Sequence, residues 1–423
     1  MGYQQGLSGL AAASNDLDVI GNNIANANTV GFKQSSAQFA DVYANTVASS
    51  VNTQIGLGAA LSQVQQDFSQ GTIDTTGQAL DVAINGNGFF QMSNNGTVTY
   101  SRNGVFQLDK NGYITDASGD DLMGYAAGTN GVVNTAQTVP LQVPTTNIAP
   151  VTTTSVTAQL NLNAQSTAPT DSFSTSDSSS YNYSTSITAY DSLGGTQQVN
   201  MYFVNGGTDA TTGNQIWNVY AGTSTGSASE VGTLSFNSSG TLVSSSDVSG
   251  IATAGSGQMT LQIPAVAGTS TLADGAAPMN VTLNFSGTTQ FGSANGVNNL
   301  TQNGYASGTL SNFSIGSDGT ITGNYSNGQT KTLGQVVLAN FNNPNGLLNL
   351  GGNQFQETAA SGVPQISTPG STNHGTLTGG AVEDSNVDLT NQLVDLITAQ
   401  RNYQANAQTI KTQQTVDQTL LQM

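Results

Sequence analysis

The sequence predicts a mainly β protein with α-helical termini: paired N- and C-terminal helices, a β domain built from two chain segments, and an inserted β domain. Three observations support this prediction. Apolar residues recur at helical spacing at both ends, Asn-Gly and Asp-Gly pairs separate short alternating segments, and the middle of the chain is rich in Ser and Thr. At 423 residues, the chain is long enough for several domains.

The composition excludes several classes of function. Only 7% of the residues are charged, and 6 Lys and Arg stand against 24 Asp and Glu, which gives a net charge of −18. Six cations cannot neutralise a nucleic-acid backbone or hold the chain on an anionic membrane. With no Cys and one His, His374, the chain lacks the ligand sets of zinc and iron–sulfur sites. We therefore expect no metal site, no cofactor, no nucleic-acid partner and no membrane insertion.

The first predicted element is a helix within residues 1–32. This segment lacks Pro, and its apolar residues follow a helical period. The apolar side chains predicted to form a self-assembly face are Leu7, Leu10, Leu17, Ile20 and Ile24. The first seven residues lack the cations and the apolar core of a secretion signal, so no cleaved signal peptide is expected. Residues 33–70 are predicted as a linker region.

Residues 71–145 are predicted to form the first segment of the β domain. Asn-Gly pairs begin at residues 87, 95, 103 and 111, each eight residues after the last, and alternating segments lie between them. Because Asn-Gly suits the turns of tight hairpins, the spacing predicts a β-meander.

Residues 146–302 are predicted to form the inserted outer β domain. Residues 166–183 are rich in Ser, Thr and Asp and are expected to be a loop. Strands are expected at residues 197–204, 215–220, 259–263 and 281–285. Trp217 is expected to anchor the core of this domain.

Residues 303–360 are predicted to complete the first β domain. Asp318-Gly319 and Asn327-Gly328 are turn signals, and strands are expected at residues 320–325 and 336–341. Residues 361–382, rich in Gly, Ser, Thr and Pro, are predicted as a second linker.

The last predicted element is a long helix within residues 383–423. Asp384, Ser385 and Asn386 are candidate N-caps, and a helix from Leu389 to Leu421 would be about 50 Å long. Its apolar residues also follow a helical period. Those assigned to the self-assembly face are Leu389, Leu393, Leu396, Tyr403, Ala407 and Ile410.

Two arrangements of the terminal helices are compatible with these patterns. They can pair within one chain, or they can become ordered only when they assemble with other copies. Two lone helices on long linkers bury little apolar area, which favours assembly. Rows of Gln at residues 400, 404 and 408 and at 414, 418 and 422 suit either contacts with further helices or an ordinary solvated surface.

Motifs of catalysis and metal binding are weak in this chain. Residues 222–226 match G-x-S-x-G, but strand rather than helix is predicted next. Residues 109–112 resemble the start of a calcium loop but lack its later ligands, so a hairpin turn is favoured. Asp120 and Asp121 are expected in solvated turns, and His374 in an exposed linker. No catalytic residue is assigned, and the chain is not expected to be an enzyme.

Three regions together resemble the bacterial flagellar rod and hook axial protein family. They are residues 8–10, 17–26 and 30–33 at the N-terminal end, residues 385–389 and 399–412 at the C-terminal end, and residues 80–90 with 100–104 between them. These segments span both ends and most of the first β region, about half of the chain. The residues that carry the terminal signatures are Asn22, Asn23, Asn26, Gly31, Phe32, Arg401 and Asn402.

Within this family, the length and the large insertion favour a hook protein over a distal-rod protein. The resemblance implies a structural subunit that self-assembles into a flexible curved tube, links rod to filament and transmits torque. It also implies export without a cleaved signal peptide to the extracellular hook. The partners implied are other hook subunits, the distal-rod, hook-cap, hook–filament junction and hook-length control proteins, and the flagellar export apparatus.

Two alternatives to this interpretation are kept open. One is a distal-rod or other flagellar axial protein. The other belongs to a different class: a surface protein that binds or cleaves glycans with a β body and Ser/Thr-rich loops. The glycan hypothesis predicts that the isolated middle region has an activity of its own, whereas the hook hypothesis predicts none.

Overall fold

The computed structural model describes residues 2–42, 56–223, 228–247, 252–254, 257–263 and 275–422. The chain divides into two compact units. The first comprises Met1–Thr145, Ser311–Asn324 and Thr330–Met423, and the second comprises Thr146–Leu310 and Tyr325–Gln329. The two ends of the chain therefore build one unit, and the middle builds the other. The second unit extends past residue 302, where the inserted domain was expected to end.

The described residues of the N-terminal part of the first unit form one helix and ten strands. Helix α1 spans Gly2–Ala25. The strands are β1 (Ser35–Val42), β2 (Gly58–Gln66), β3 (Ile73–Thr75), β4 (Val82–Asn85), β5 (Phe89–Asn94), β6 (Thr97–Ser101), β7 (Gln107–Leu108), β8 (Ile114–Thr115), β9 (Asp121–Ala126) and β10 (Val139–Pro140).

The second unit contributes the next strands. They are β11 (Ser155–Asn163), β12 (Tyr183–Tyr190), β13 (Thr196–Thr208), β14 (Gln215–Thr223), β15 (Ser229–Phe236), β16 (Leu242–Asp247), β17 (Ala252–Ala254), β18 (Gln258–Ile263), β19 (Met279–Asn284), β20 (Thr289–Phe291) and β21 (Gly296–Gln302). Strands β12 to β17 form an antiparallel sheet in sequence order, and β18, β19, β11, β20 and β21 form a second sheet. Trp217 is fully buried in the core of this unit, as predicted.

The C-terminal part of the chain supplies the remaining elements. They are β22 (Leu310–Ile315), β23 (Thr320–Tyr325), β24 (Thr330–Val336), β25 (Leu338–Asn340), β26 (Leu348–Gly351), β27 (Gln354–Gln356), β28 (Gln365–Ser367), β29 (Thr376–Gly379), β30 (Ala381–Glu383) and helix α2 (Leu389–Leu421). The main sheet of the first unit runs in the order β22-β23-β24-β9-β5-β6-β27-β26, so three strands of the N-terminal segment lie between strands of the C-terminal segment. The predicted fold class is confirmed.

Both segments expected to be linkers contain paired strands. In residues 33–70, β1 and β2 pair as antiparallel strands. Ser35 lies opposite Gln66 at one end of the pair, and Val42 lies opposite Gly58 at the other. In residues 361–382, β29 pairs with β4 and β30 pairs with β3. The sequence signal was weak because these strands are short or carry Gln, Ser and Ala instead of β-branched residues.

Two of the four Asn-Gly pairs in the first β segment form hairpin turns. Asn95 and Gly96 both have positive φ between β5 and β6, and Gly112 closes the turn between β7 and β8. The pair at Asn103 does not, because Gly104 lies against the strand that begins at Val82, where a Cβ would collide with a carbonyl oxygen. The meander prediction is therefore wrong at this position and at Asn87-Gly88, which lies between β4 and β5.

Helix α2 begins and ends where the apolar pattern predicted, but its N-cap is different. Asp388 Oδ1 accepts hydrogen bonds from the backbone N–H groups of Thr390 at 2.9 Å and Asn391 at 3.2 Å. The three residues at 384–386 lie before the helix and are not its cap. Asn386 instead has a structural role beneath the helices, described below.

Candidate self-assembly site

The two terminal helices pack against each other within the chain, as the predicted fold class has them, although the small apolar area of two lone helices favoured ordering by assembly with other copies. Glycines on α1 allow the close approach. A Cβ on Gly9 would lie 2.7 Å from Asn406 Oδ1, and a Cβ on Gly6 would lie 3.0 Å from Ile410 Cγ1. The contact line between α1 and α2, which we call the seam, is therefore built on small residues and amides. The heptad Leu residues do not build it.

Few large apolar side chains are buried in the helix pair. Ile20 is 6% exposed, and Ala13 and Ala399 are also buried. Of the helix side chains that the structure describes, Ile20 is the only large aliphatic one that is fully buried. Because most helix stability in proteins comes from packing an apolar face, this pair gains little stability from the seam alone.

Asn23 links the C-terminal end of α1 to β1 and α2 through hydrogen bonds. Its Nδ2 donates to Ser35 O at 2.7 Å and to Gln392 Oε1 on α2 at 3.0 Å, and its Oδ1 accepts from Ser35 N at 2.9 Å. One buried amide thus joins α1, β1 and α2. Asn26, a second signature residue, bonds back to Asn22 O at 2.9 Å and closes the end of the helix.

Most of the residues predicted for self-assembly lie outside the seam. At about 100° per residue, Leu10 and Leu17 fall beside it. Leu7, Leu389, Leu393 and Tyr403 are 49%, 47%, 45% and 37% exposed, respectively. Half-buried positions are Leu10, Leu17, Ile24, Leu396, Ala407 and Ile410. We call nine of these residues the apolar flank. The tenth, Ile410, packs against Gly6 in the seam, and the eleventh, Ile20, is buried within the chain.

The sequence analysis missed three exposed apolar groups near the flank. Val394 is 59% exposed and Ile397 is 50% exposed on α2, although neither belongs to the predicted stripe. The hairpin of β1 and β2 exposes Phe39, Leu61 and Val64, at 39%, 38% and 49%. The exposed apolar surface of the terminal region is therefore wider than the two stripes, and the alternation of Phe39 with small residues in β1 was the available signal.

A pocket of about 270 Å³ lies between α1, α2 and β1. Asp16 and Asp395 both line it, beside Asn23, Gln392 and Thr398. Burial raises the pKa of Asp16, and the nearby Asp395 raises it further. The pocket is therefore an acidic recess whose charge is not offset by a cation in the part of the chain that the structure describes.

A buried ion cluster lies beneath the helices. Glu383 Oε1 is 2.7 Å from Lys33 Nζ, and Glu383 Oε2 is 3.3 Å from Arg102 Nη1. All three side chains are at most 3% exposed. Burial lowers the pKa of Lys33, Arg102 lowers it further, and Glu383 opposes both effects. Two of the six cations of the chain thus share one carboxylate, in a cluster with a net positive charge.

The cluster ties the two ends of the chain to the β body. Lys33 follows α1, Glu383 lies at the end of β30, and Arg102 follows β6. Gly31 N donates to Glu383 O at 2.7 Å. Gly31 has φ +71°, and a Cβ there would lie 2.8 Å from the backbone of Arg102, which explains why this signature position is Gly.

Asn386, just before α2, joins the C-terminal segment to the residues that follow α1 and β2. Its Oδ1 accepts from Gln34 N at 2.8 Å, and its Nδ2 donates to Asp67 O at 2.9 Å. The remaining signature residues are placed differently. Phe32 is half-buried, whereas Asn22, Arg401 and Asn402 are exposed.

The catalytic and metal-binding candidates remain unsupported. Ser224 lies outside the described residues. Asp109 Oδ1 accepts backbone N–H bonds from Asn111 and Tyr113, which fits the hairpin turn. Asp120 is 1% exposed and accepts from the Gln354 amide, so its expected place in a solvated turn is wrong. Within the described ranges no cluster of three or more His, Cys, Asp or Glu could hold a metal ion.

His374 is half-buried, not in an exposed linker. Its Nε2 lies 2.9 Å from Gln365 O because strands β28 and β29 flank it on both sides. Its Nδ1 is 3.4 Å from Ser371 Oγ, which donates to Thr368 O at 2.6 Å. These bonds place His374 in a turn.

No described helix is long and apolar enough to cross a bilayer.

Four known families match successive parts of the chain. "Flagella basal body rod protein" matches residues 4–33, and "Flagellar hook protein FlgE/F/G D1 domain" matches residues 83–161. "Flagellar basal body protein FlaE D2 domain" matches residues 161–305, and "Flagellar basal body rod FlgEFG protein C-terminal" matches residues 378–423. Both helix-containing matches coincide with the residues that carry the seam and the apolar flank.

Full-length relatives agree with these matches. The chain is 43% identical to "Flagellar hook protein FlgE" of Escherichia coli (strain K12) and 42% identical to that of Salmonella typhimurium (strain LT2), with 100% of each chain covered. It is 32% identical to the protein of the same name from Treponema pallidum, over 99% of this chain and 98% of the relative. The crystal structure of Helicobacter pylori flagellar hook protein FlgE2 has a similar fold, with a TM-score of 0.50, 15% identity, and coverage of 72% of this chain and 98% of that one.

Proposed function

The chain belongs to the flagellar hook protein family and is a structural subunit of the bacterial flagellar hook, and we propose that its apolar flank joins copies of the chain into the hook tube. The single observation that supports this proposal is the exposure of Leu7, Leu389 and Leu393 at 45% to 49% on helices that are otherwise nearly uncharged. Large apolar side chains left exposed at both ends of a helix pair indicate an interaction surface. Family membership favours this function over the glycan-binding alternative.

The flank is suited to an open polymer. It lies beside the seam, so it is free to contact a different surface on the next copy. Contacts between two different surfaces propagate into a helical filament instead of closing as a dimer. Since the seam buries only one large aliphatic side chain, the proposal includes completion of the helix pair by neighbouring copies.

The export route and the named partners are part of this proposal. A chain without Cys, whose terminal helices pack through small residues, can pass unfolded through a narrow channel and fold at the growing tip. We place its export in the flagellar apparatus without cleavage of a signal peptide. The distal-rod, hook-cap, junction and length-control proteins are proposed as its further contacts. No catalytic role is proposed.

The middle unit is proposed to let the tube bend as a universal joint that transmits torque. Its surface is rich in Ser, Thr, Asn and Gly, and polar interfaces between domains permit relative motion more readily than large apolar ones. Deleting residues 152–301 should leave tubes that assemble but differ in curvature or stiffness. Unchanged hook mechanics in this deletion would contradict the proposal for the middle unit.

The flank itself is tested by paired substitutions. Leu389→Gln with Leu393→Gln removes two apolar side chains that are nearly half exposed, and it should leave a folded monomer that polymerises poorly, because little intrachain packing is lost. Val363→Gln is the matched control, since Val363 is 81% exposed outside the helices. Sedimentation of polymer measures the effect. Normal tubes from the double variant, or equal loss in the control, would refute the role of the flank.

A further inference from the structure

The charges of the helix pair are few and unevenly placed. Helices α1 and α2 carry six charged side chains: Asp16, Asp18, Asp395, Arg401, Lys411 and Asp417. Two of the four acids, Asp16 and Asp395, come from different helices yet line the same 270 Å³ pocket. On helices made mostly of Gln, Asn, Thr and apolar residues, this convergence of two carboxylates makes the pocket an acidic recess.

Among the residues that the structure describes, the pocket has no cationic partner. The ion pairs formed by the described residues are those of Lys33 and Arg102 with Glu383, and neither cation lines the pocket. Two like charges in a partly buried recess repel each other, which the raised pKa of Asp16 reflects through burial and then through Asp395. A cation supplied from outside would relieve this repulsion.

The position of Arg401 on α2 suits a contact with the pocket of another copy, because its side chain does not face the pocket of its own chain. It is exposed on α2, and the ion pairs of the described chain do not include it. It follows Asp395 by six residues, which places it about 240° further around the helix. The pocket and Arg401 therefore lie on different sides of the helix pair.

We propose that Arg401 of one copy docks into the pocket lined by Asp16 and Asp395 of the next copy. This inference rests on the proposed function, for which it names the polar contact that sets the register of the helices. The occupant is a second copy of this chain, chosen by charge complementarity. Because donor and pocket are different surfaces, each copy can give one contact and receive one, as an open filament requires.

The chemistry of Arg suits this pocket. The planar guanidinium presents a fork of N–H donors that can bond two carboxylates at once, whereas Lys is a point charge. The pocket volume of about 270 Å³ is roughly nine times the ~30 Å³ share of one water molecule, so a guanidinium has room to enter. Thr398, whose hydroxyl donates to Val394 O at 3.0 Å, offers a further oxygen acceptor on the lining.

Charge-swap variants of the full chain test the contact. Arg401→Asp should raise the critical concentration for polymerisation at least tenfold, which corresponds to about 1.4 kcal/mol per subunit. Asp395→Arg should do the same, and the double variant Arg401→Asp with Asp395→Arg should recover most of the loss because the pair is restored with reversed sign. Lys411→Asp and Asp18→Arg are matched controls, with exposed charges on the same helices outside the pocket.

The outcomes separate this contact from the proposed function. If the unmodified chain polymerises and Arg401→Asp polymerises equally well, the docking contact is wrong while the proposed function stands. If the free-energy loss of polymerisation in the double variant equals the sum of the losses in the two single variants, the contact is also wrong. The same holds if the control substitutions raise the critical concentration as much as Arg401→Asp does. If the unmodified chain fails to polymerise under all conditions, the proposed function fails first.

Discussion

At the scale of single residues, Glu383 is the most constrained charge in the molecule. It accepts from Lys33 Nζ at 2.7 Å and from Gly71 N at 2.9 Å, and it faces Arg102 Nη1 at 3.3 Å. Arg102 also lies over the Phe89 ring, with Cζ 5.6 Å from the centroid. Because removal of one partner leaves buried charges uncompensated, the cluster is sensitive to any neutral replacement of Glu383.

Replacing Glu383 by Gln should destabilise the first unit by about 3–5 kcal/mol, since two buried cations then lack their carboxylate. Urea unfolding followed by circular dichroism measures the change. Glu357→Gln is the control: Glu357 is exposed and accepts only a long bond from Tyr100, so its loss should cost about 1 kcal/mol or less. Equal costs for the two substitutions would show that the buried cluster does not hold the chain ends together.

Asp16 should make the stability of the helix pair depend on pH. Its pKa is raised above 3.8 in the folded chain by burial and by Asp395, so the folded state holds this proton more tightly than the unfolded state. The helix pair should therefore gain stability as the pH falls from neutral toward about 4, in the window above the unfolded pKa.

Asp16→Asn should remove this contribution and stabilise the helix pair of the monomer at neutral pH, even as it weakens the proposed docking contact. Helix melting of the monomer at several pH values checks this, with Asp18→Asn as the control for loss of one negative charge. A variant Asp16→Asn that melts earlier than the parent at neutral pH would contradict the argument.

At the scale of secondary-structure elements, the elements best predicted from sequence were those with a strong local signal. The periodic α2 pattern predicted Leu389 to Leu421, and turn residues at 318–319 and 327–328 predicted β23, which spans Thr320–Tyr325. The hairpin of β1 and β2 was missed because its Gln- and Ala-rich strands derive their pairing from tertiary contacts. The buried cluster could not be predicted either, since its three members are brought together from distant parts of the chain.

The seam shows the same difference between local pattern and tertiary contact. Apolar periodicity predicted the flank, whereas the glycines that face Asn406 and Ile410 carry no hydropathy signal. Glycine inside a helix costs about 1 kcal/mol relative to Ala, so Gly6 and Gly9 in the first helix are themselves a sign of close packing.

Leu placed at Gly9 should separate the helices, because even a Cβ there would lie 2.7 Å from Asn406 Oδ1. We expect a loss of about 1–3 kcal/mol in the stability of the helix pair, the usual cost of overpacking. The same substitution at Gly21, where a Cβ would have no neighbour within 4 Å, should instead gain up to about 1 kcal/mol. Helical circular dichroism during thermal melting measures both, and loss of stability at both positions would argue against a seam at Gly9.

At the scale of the whole molecule, the charge balance opposes assembly. Each copy carries −18, and two of its six cations are buried with Glu383, so few cations remain to offset repulsion between copies. A polymer of such subunits must overcome this repulsion through its apolar flank and through screening by salt.

Polymerisation should therefore be promoted by salt. Raising the ionic strength from about 0.01 M to 0.1 M shortens the Debye length from about 30 Å to about 10 Å and should lower the critical concentration several-fold. Light scattering across a salt series measures it. A flat or falling signal would mean that repulsion between copies does not limit assembly.

The central claim is that the apolar flank, which is exposed or half-buried in the single chain, is covered by other copies in the polymer. The most direct measurement uses the absence of Cys from the sequence: Leu7→Cys, Leu393→Cys and, as a control outside the helices, Val363→Cys each introduce one thiol. The rate of thiol modification should be high for all three monomers, and in the polymer it should fall at least tenfold at positions 7 and 393 relative to the control. Equal rates in monomer and polymer at both helix positions would contradict the account.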